Sequence, residues 1–242
     1  MANDIVAHRG WSAAAPENTI VAFRKALEAP YVAGLELDIQ LSKDGVPVVI
    51  HDFTLERTTT GRGYVKDHTL EELKALDAGA WFGPEFRGER IPTLAEALAL
   101  AKGRAYINIE LKTAGGLYPG LAEAAVKVVR EAGMENEVYF TSFDHLVMLE
   151  AKSIAPDIRT GLLVLGRPVA MKSQFEATGA DVLSIAYPYI SKDLVQEAEE
   201  LGIDLLAWTV DDPARIRELA ALSDRIAICT NAPDAAREAL GV

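Results

Sequence analysis

Apolar positions along this chain follow two alternating rhythms. Short aliphatic runs begin near Asp4-Ile5-Val6-Ala7, Gly34–Ile39, Ala105–Glu110, Glu137–Phe140, Ile158–Val164, Asp181–Ile185, Ile203–Trp208 and Arg225–Cys229. Alanine- and leucine-rich stretches with helical spacing fill most of the gaps. This alternation predicts parallel strands joined by crossover helices. Eight such units in 242 residues favour an α/β fold of the (β/α)8 TIM-barrel type, one domain over residues 1–242. An open doubly wound sheet fits less well, because the chain has no Gly-x-Gly-x-x-Gly fingerprint.

Helix starts are marked locally. Thr69-Leu70-Glu71-Glu72 and Thr93-Leu94-Ala95-Glu96 have the spacing of capping boxes. Asp212-Pro213 puts an N-cap before a proline suited to the first helical position. One stretch breaks the rhythm. From about residue 52 to 91, after the second β unit, lies an insertion rich in threonine, glycine and aromatics, with a short helix expected near Thr69–Leu76. Extra segments after barrel strands lie over the active-site face. A lid over a substrate and a plain surface excursion both fit.

Composition narrows the picture. Half of the residues are apolar, enough for a large core, and the net charge is −12. A field of that sign disfavours nucleic acid, although a bound cation can reverse it locally for a small phosphorylated ligand. The lone cysteine, Cys229, lies in an apolar run and reads as a buried strand thiol. No basic-then-apolar leader and no membrane-length apolar run are visible, so a cytoplasmic protein is expected.

The candidate chemistry sits at strand ends. In Glu36-Leu37-Asp38 the carboxylates share one face and Leu35, Leu37 and Ile39 the other. A polar strand end meeting water would explain such a pair, and so would a divalent cation. Glu110 and Lys112 share a face two residues apart, which an ordinary ion pair would also explain. Their common position at C-terminal strand ends, where barrel active sites gather, favours a site. Three carboxylates suit a hard cation, Mg²⁺ or Ca²⁺, and nothing has the spacing of a structural zinc site. His8 ends the first strand and His51 ends the extended run Pro47–His51, both toward the same mouth. Histidine suits proton transfer near neutrality. Arg9 and Lys112 would bind phosphate oxygens. His68 and His145 read as surface residues.

At these residues the chain resembles the glycerophosphodiester phosphodiesterase family. His8-Arg9-Gly10, Pro16-Glu17-Asn18-Thr19, Glu36-x-Asp38, His51-Asp52, Glu110-x-Lys112 and Trp208-Thr209-Val210 look like its motifs, in order. Leu55–Thr59 and Leu76–Gly79 look like its inserted segment. The last strand, Ala227-Ile228-Cys229-Thr230-Asn231, departs from the usual Gly-Ile-Ile-Thr-Asp or Asn, which bears on local packing. The resemblance implies a (β/α)8 barrel that hydrolyses deacylated phospholipids to sn-glycerol 3-phosphate and an alcohol. It implies Glu36, Asp38 and Glu110 as ligands of one divalent cation, and His8 and His51 as the acid–base pair. Arg9 and Lys112 would hold phosphate, Glu17 and Asn18 would support the site, and Trp208 would wall the glycerol. The mechanism expected from these groups is attack by the glycerol 2-hydroxyl with one histidine as base and the other as acid; the resemblance suggests His8 as base and His51 as acid, an order the sequence itself does not assign.

The expected partner is a small glycerophosphodiester, without nucleic acid or stable membrane association, and the protein a monomer or homodimer. Two alternatives remain. One is a lysophospholipase D or phospholipase C-like barrel acting on lipids. The other is a barrel that binds a phosphorylated polyol without turnover. The head group is not legible, although Tyr64, Trp81, Phe82, Tyr187 and Tyr189 could wall a choline.

Overall fold

The computed structural model describes residues 3–242. Eight strands form the barrel: β1 (Ile5–His8), β2 (Val32–Leu41), β4 (Tyr106–Leu111), β5 (Val138–Ser142), β6 (Arg159–Val164), β7 (Val182–Ala186), β8 (Asp204–Trp208) and β9 (Ile226–Thr230). All pair in parallel with their neighbours, and pairing of β1 with both β2 and β9 closes the ring. The eight expected strands therefore occur where the apolar runs lie. A further strand, β3 (Pro47–Val49), returns antiparallel to β2 from Ile39 to Leu41 and lies outside the ring.

Period-two alternation sorts the side chains. Ile5, Ala7, Leu35, Leu37 and Ile39 join the main core with Phe23 and Ala26 of α1 (Ile20–Leu27) and Leu94 and Leu98 of α3 (Leu94–Ala101). The alternate positions face the barrel interior. Val6, Tyr139, Val182, Leu206 and Cys229 pack there as a separate apolar cluster. Above that plug the same inward rows become polar: Val6 is followed by His8, and Tyr106 by Asn108, Glu110 and Lys112. Glycine makes room for the large members. A Cβ on Gly34 would stand 2.5 Å from the Tyr106 ring.

The capping boxes at Thr69 and Thr93 form as expected, and Asp212 caps the helix begun by Pro213. The insertion carries α2 (Leu70–Ala75), two 3-10 turns and a small core of Leu55, Val65, Leu73 and Ala78 against Val48, Ile50 and Ile91. Among the described residues, no helix is long and apolar enough to cross a membrane.

A cavity of about 380 Å³ opens at the N-terminal end of the barrel, lined by Asp4, Tyr106, Arg159, Asp204 and Arg225. Both arginines there pair with Asp204. A smaller pocket at the opposite end, about 100 Å³, is lined by His8, Arg9, Glu36, His51, Glu110 and Lys112.

Candidate active site

The smaller pocket gathers His8, Arg9, Glu36, His51, Glu110, Lys112 and Trp208 over Cys229 and Leu206. Asp38 stands beside them, 3.3 Å from Arg9 Nε. β2 pairs with β4 so that Asp38 is level with Glu110, and β1 pairs with β2 so that His8 is level with Glu36. Register therefore brings the three carboxylates together: one oxygen of each lies within 4.8 Å of the others. Glu36 is 4% exposed, Asp38 0% and Glu110 8%, so the water-facing explanation of this acidic face does not hold.

Three buried carboxylates at that separation repel one another by about 3–4 kcal/mol per pair at an effective dielectric of about 20. Burial and the Asp38 charge push the Glu36 carboxyl well above its ordinary range, and the same causes push Glu110 up to about 7. Burial also opposes ionisation of Asp38, but Arg9, His51, Lys112 and the Asn18 amide together hold its carboxyl down to about 2. Asp38 Oδ1 is buried with no hydrogen-bond partner. Oxygen-only donors, excess negative charge and an orphaned oxygen facing its neighbours are what a hard divalent cation requires. The residues fit such an ion.

Arg9 and Lys112 edge this cluster. Arg9 adopts a left-handed backbone, φ 55°, and its N–H donates to Glu36 Oε2 at 2.9 Å. Its guanidinium donates to Glu17 Oε1 at 2.7 Å. Lys112 Nζ donates to Glu110 Oε1 at 2.8 Å and stands 3.8 Å from Asp38 Oδ1. With all three carboxylates ionised, as a bound cation requires, they and the two cationic side chains would sum to −1, which one divalent ion would turn to +1, the complement of a phosphodiester anion. Asn18, also left-handed with φ 57°, donates to Asp38 Oδ2 at 2.8 Å.

The two histidines are held differently. His8 Nδ1 faces Asn231 Oδ1 at 2.7 Å, while Asn231 Nδ2 donates to Asp211 at 2.6 Å. The amide is thus oriented to accept, His8 carries its proton on Nδ1, and Nε2 keeps its lone pair. Burial, then Arg9, lowers the His8 pKa to about 4, so the ring is neutral near pH 7. His51 instead faces a carboxylate, with Nδ1 2.7 Å from Asp52 Oδ1, and its Nε2 stands 3.2 Å from Lys112 Nζ. Burial lowers its pKa as well, against the pull of Asp38.

His51 follows β3, so no barrel strand fixes it. Gln40, the inward residue after Asp38, donates its amide to the carbonyls of Ile50, His51 and Asp52 at 3.1, 3.0 and 2.7 Å. Tyr118 Oη donates to Gln40 Oε1 at 2.7 Å. Gln40 was not expected as a site residue, although its period-two spacing from Glu36 and Asp38 was the available signal. Asn231, Asp211, Tyr118 and Phe143 were also missed, and only tertiary contacts connect them to the site.

The aromatic wall differs from expectation. Tyr64, Trp81, Phe82, Tyr187 and Tyr189 do not line the pocket; Trp208 does, with Phe143 edge-on at 5.7 Å. Tyr64, Trp81 and Phe82 belong to the insertion, and Tyr187 packs against the main core, so none has the inward register of Trp208 on β8. His68 bonds Tyr64 O and His145 bonds Leu163 O, which are structural roles. Cys229 is buried beneath the pocket, and burial pushes its thiol well above the ordinary range, as suits an inert side chain.

Residues 8–235 match the model of the Glycerophosphoryl diester phosphodiesterase family. A glycerophosphodiester phosphodiesterase of Caldanaerobacter subterraneus subsp. tengcongensis is 46% identical over 86% of this chain and 85% of its own length. An Oleispira antarctica phosphodiesterase, solved in complex with the product sn-glycerol-3-phosphate, superposes with TM-score 0.93 and 32% identity over 100% of this chain and 98% of its own. A glycerophosphodiester phosphodiesterase of Agrobacterium tumefaciens gives TM-score 0.84 and 32% identity, covering 98% and 99% of the two chains.

Proposed function

The chain belongs to the glycerophosphoryl diester phosphodiesterase family, and we propose that it hydrolyses glycerophosphodiesters to sn-glycerol 3-phosphate and an alcohol with a divalent cation and two histidines. The observation that carries this reading is the buried carboxylate trio beside two histidines at one barrel mouth. The product bound to the Oleispira antarctica relative supports the substrate class.

In this reading Glu36, Asp38 and Glu110 hold the cation, Mg²⁺ or Ca²⁺. When bound, it supplies Lewis-acid charge to phosphate and hydroxyl oxygens. Arg9 and Lys112 bind the phosphate and oppose the charge that grows on it in the transition state. His8 Nε2, neutral and carrying a lone pair, takes the proton of the glycerol 2-hydroxyl as that oxygen attacks phosphorus. His51 Nε2 gives a proton to the departing alcohol oxygen. A phosphodiester anion between Lys112 and His51 adds the negative charge that favours the imidazolium. Water then opens the cyclic phosphate with the two proton transfers reversed. Glu17 and Asn18 support Arg9 and Asp38, and Trp208 walls the glycerol. We place this single-domain enzyme in the cytoplasm, a reducing compartment that suits its one buried free thiol.

A coupled glycerol 3-phosphate assay over a panel of glycerophosphodiesters, after chelation and metal add-back, tests the proposal. Turnover should vanish on chelation and return with the cation; full turnover without metal would remove the cation from the mechanism. A substrate lacking the 2-hydroxyl should not react, and its cleavage at full rate would replace the cyclic route by direct attack of water.

One observation favours a second reading, in which the substrate carries an alkyl chain. Phe143 and Leu165, after β5 and β6 on the active-site face, are 47% and 72% exposed. Monoacyl glycerophosphocholine assayed beside glycerophosphocholine separates the readings.

A further inference from the structure

Four charged side chains link the phosphate side of the pocket to His51. Arg9 Nη1 donates to Glu17 Oε1 at 2.7 Å. Glu17 receives Arg57 through both oxygens, from Nη1 and Nη2, each at 2.8 Å. The same guanidinium grips Asp52, with Nε to Oδ2 at 2.6 Å and Nη2 to Oδ1 at 2.9 Å. Asp52 Oδ1 meets His51 Nδ1 at 2.7 Å. Arg57 thus spends its planar fork on two carboxylates at once, which a lysine cannot do. One of these carboxylates belongs to the loop after β1, the other to the segment after β3 that carries His51. The insertion, which supplies Arg57, is thereby tied to both.

We propose that Asp52 and Arg57 are positioning residues that hold His51 in the tautomer and orientation needed to protonate the departing alcohol. The proposal rests on the reading of His51 as general acid. Asp52 accepts the Nδ1 hydrogen, so the proton to be transferred is the one on Nε2, the nitrogen facing the pocket. As the P–O bond breaks, its electron pair goes to the alcohol oxygen, which takes the Nε2 proton. Imidazolium becomes neutral imidazole, which keeps its Nδ1 hydrogen and still donates it to the Asp52 carboxylate. The carboxylate stays ionised throughout and fixes the ring rather than relaying the proton. Arg57 keeps Asp52 ionised and aimed: it pulls the Asp52 carboxyl far below the ordinary range. The Arg57 side chain is 44% exposed. Exposed ion pairs add little stability, so what this double fork mainly supplies is alignment.

The leaving group provides the test. Glycerophosphocholine expels an alkoxide that needs a proton. The p-nitrophenyl ester of glycerol 3-phosphate expels a phenolate that does not. Asp52→Asn, Arg57→Ala, Arg57→Lys and His51→Ala are compared on both substrates with saturating cation, alongside thermal melting. Asp52→Asn and Arg57→Ala should lower kcat on glycerophosphocholine by about 10²-fold, in the range typical of general-acid catalysis, with KM changed less than about threefold. The nitrophenyl ester should lose less than about fivefold, and Arg57→Lys should recover only part of the loss. Equal losses on both substrates, or none on either, overturn the positioning role. Should Asp52→Asn fail to fold, the more exposed Arg57→Ala decides alone. If His51→Ala loses both substrates equally, the general-acid reading itself fails. If His51→Ala splits them and the Asp52 and Arg57 variants do not, only the positioning proposal fails.

Discussion

In the proposed reading Glu110 couples cation binding to protons. Burial first, then the neighbouring Asp38 charge, pushes its carboxyl up to about 7. A bound cation requires the carboxylate, so below that pH the ion must displace a proton. Cation affinity should weaken about tenfold from pH 8 to pH 6 if one proton is displaced, and more steeply if Glu36 also contributes. Calorimetric titration at the two values checks this, and equal affinities would contradict it. Burial moves this competition up to near-neutral pH, because the folded metal-free protein holds the Glu110 proton more tightly than an unfolded chain does. At this scale the carboxylates, histidines, Arg9 and Lys112 could be named from strand-end spacing. Gln40 could not be assigned a task, because its acceptors are the carbonyls of a segment whose path no local pattern fixes.

The turn that leaves β1 shows how an element delivers a site. Gly10 has φ 79°, and a Cβ there would lie 2.7 Å from the Ala22 carbonyl carbon in α1. Two effects therefore add: left-handed strain of about 1–2 kcal/mol and overlap with backbone of about 1–3 kcal/mol. Gly45, in the turn from β2 to β3, has φ 78° but nothing within 4 Å. Gly10→Ala should destabilise by about 3 kcal/mol and depress turnover by displacing His8 and Arg9. Gly45→Ala should cost about 1 kcal/mol, from strain alone, and leave turnover intact. Denaturant midpoints at constant slope, measured beside kcat, distinguish the two. Similar losses at both glycines would show that strain, not the approach of α1, sets the cost. β3 makes the complementary point. Its run Pro47–Val49 reads as extended from sequence, but three residues cannot say whether they join the ring or fold back along it.

For the whole molecule the proposed cation would be a ligand of the folded state only. At a concentration 100 times its Kd it should add about 2.7 kcal/mol. A chain of this size gains about 2–4 °C in Tm per kcal/mol, so saturation should raise Tm by about 5–10 °C in one transition. Scanning calorimetry with and without chelator measures the shift. No shift at saturation would mean that the trio does not hold the ion, and two separate transitions would contradict a single cooperative domain. The overall charge of −12 is no obstacle to an anionic substrate, since local charge at the mouth, rather than the total, sets the attraction there.

The sequence determined the barrel, the polar ends of its inward rows and the helix caps, because each follows from periods of two or 3.6 residues and from neighbours within one turn. His8, Glu36, Asp38 and Glu110 were legible for that reason: they sit on strands whose alternation dictates their face. Tertiary structure alone decided how close they stand, because the 4.8 Å grouping depends on the register of β2 against β4. It also decided the setting of His51, whose partners Gln40, Asp52, Arg57 and Lys112 converge from separate segments. Strand geometry is periodic and can be read ahead, whereas a side chain reaching across loops depends on a backbone path set by the packing of the rest.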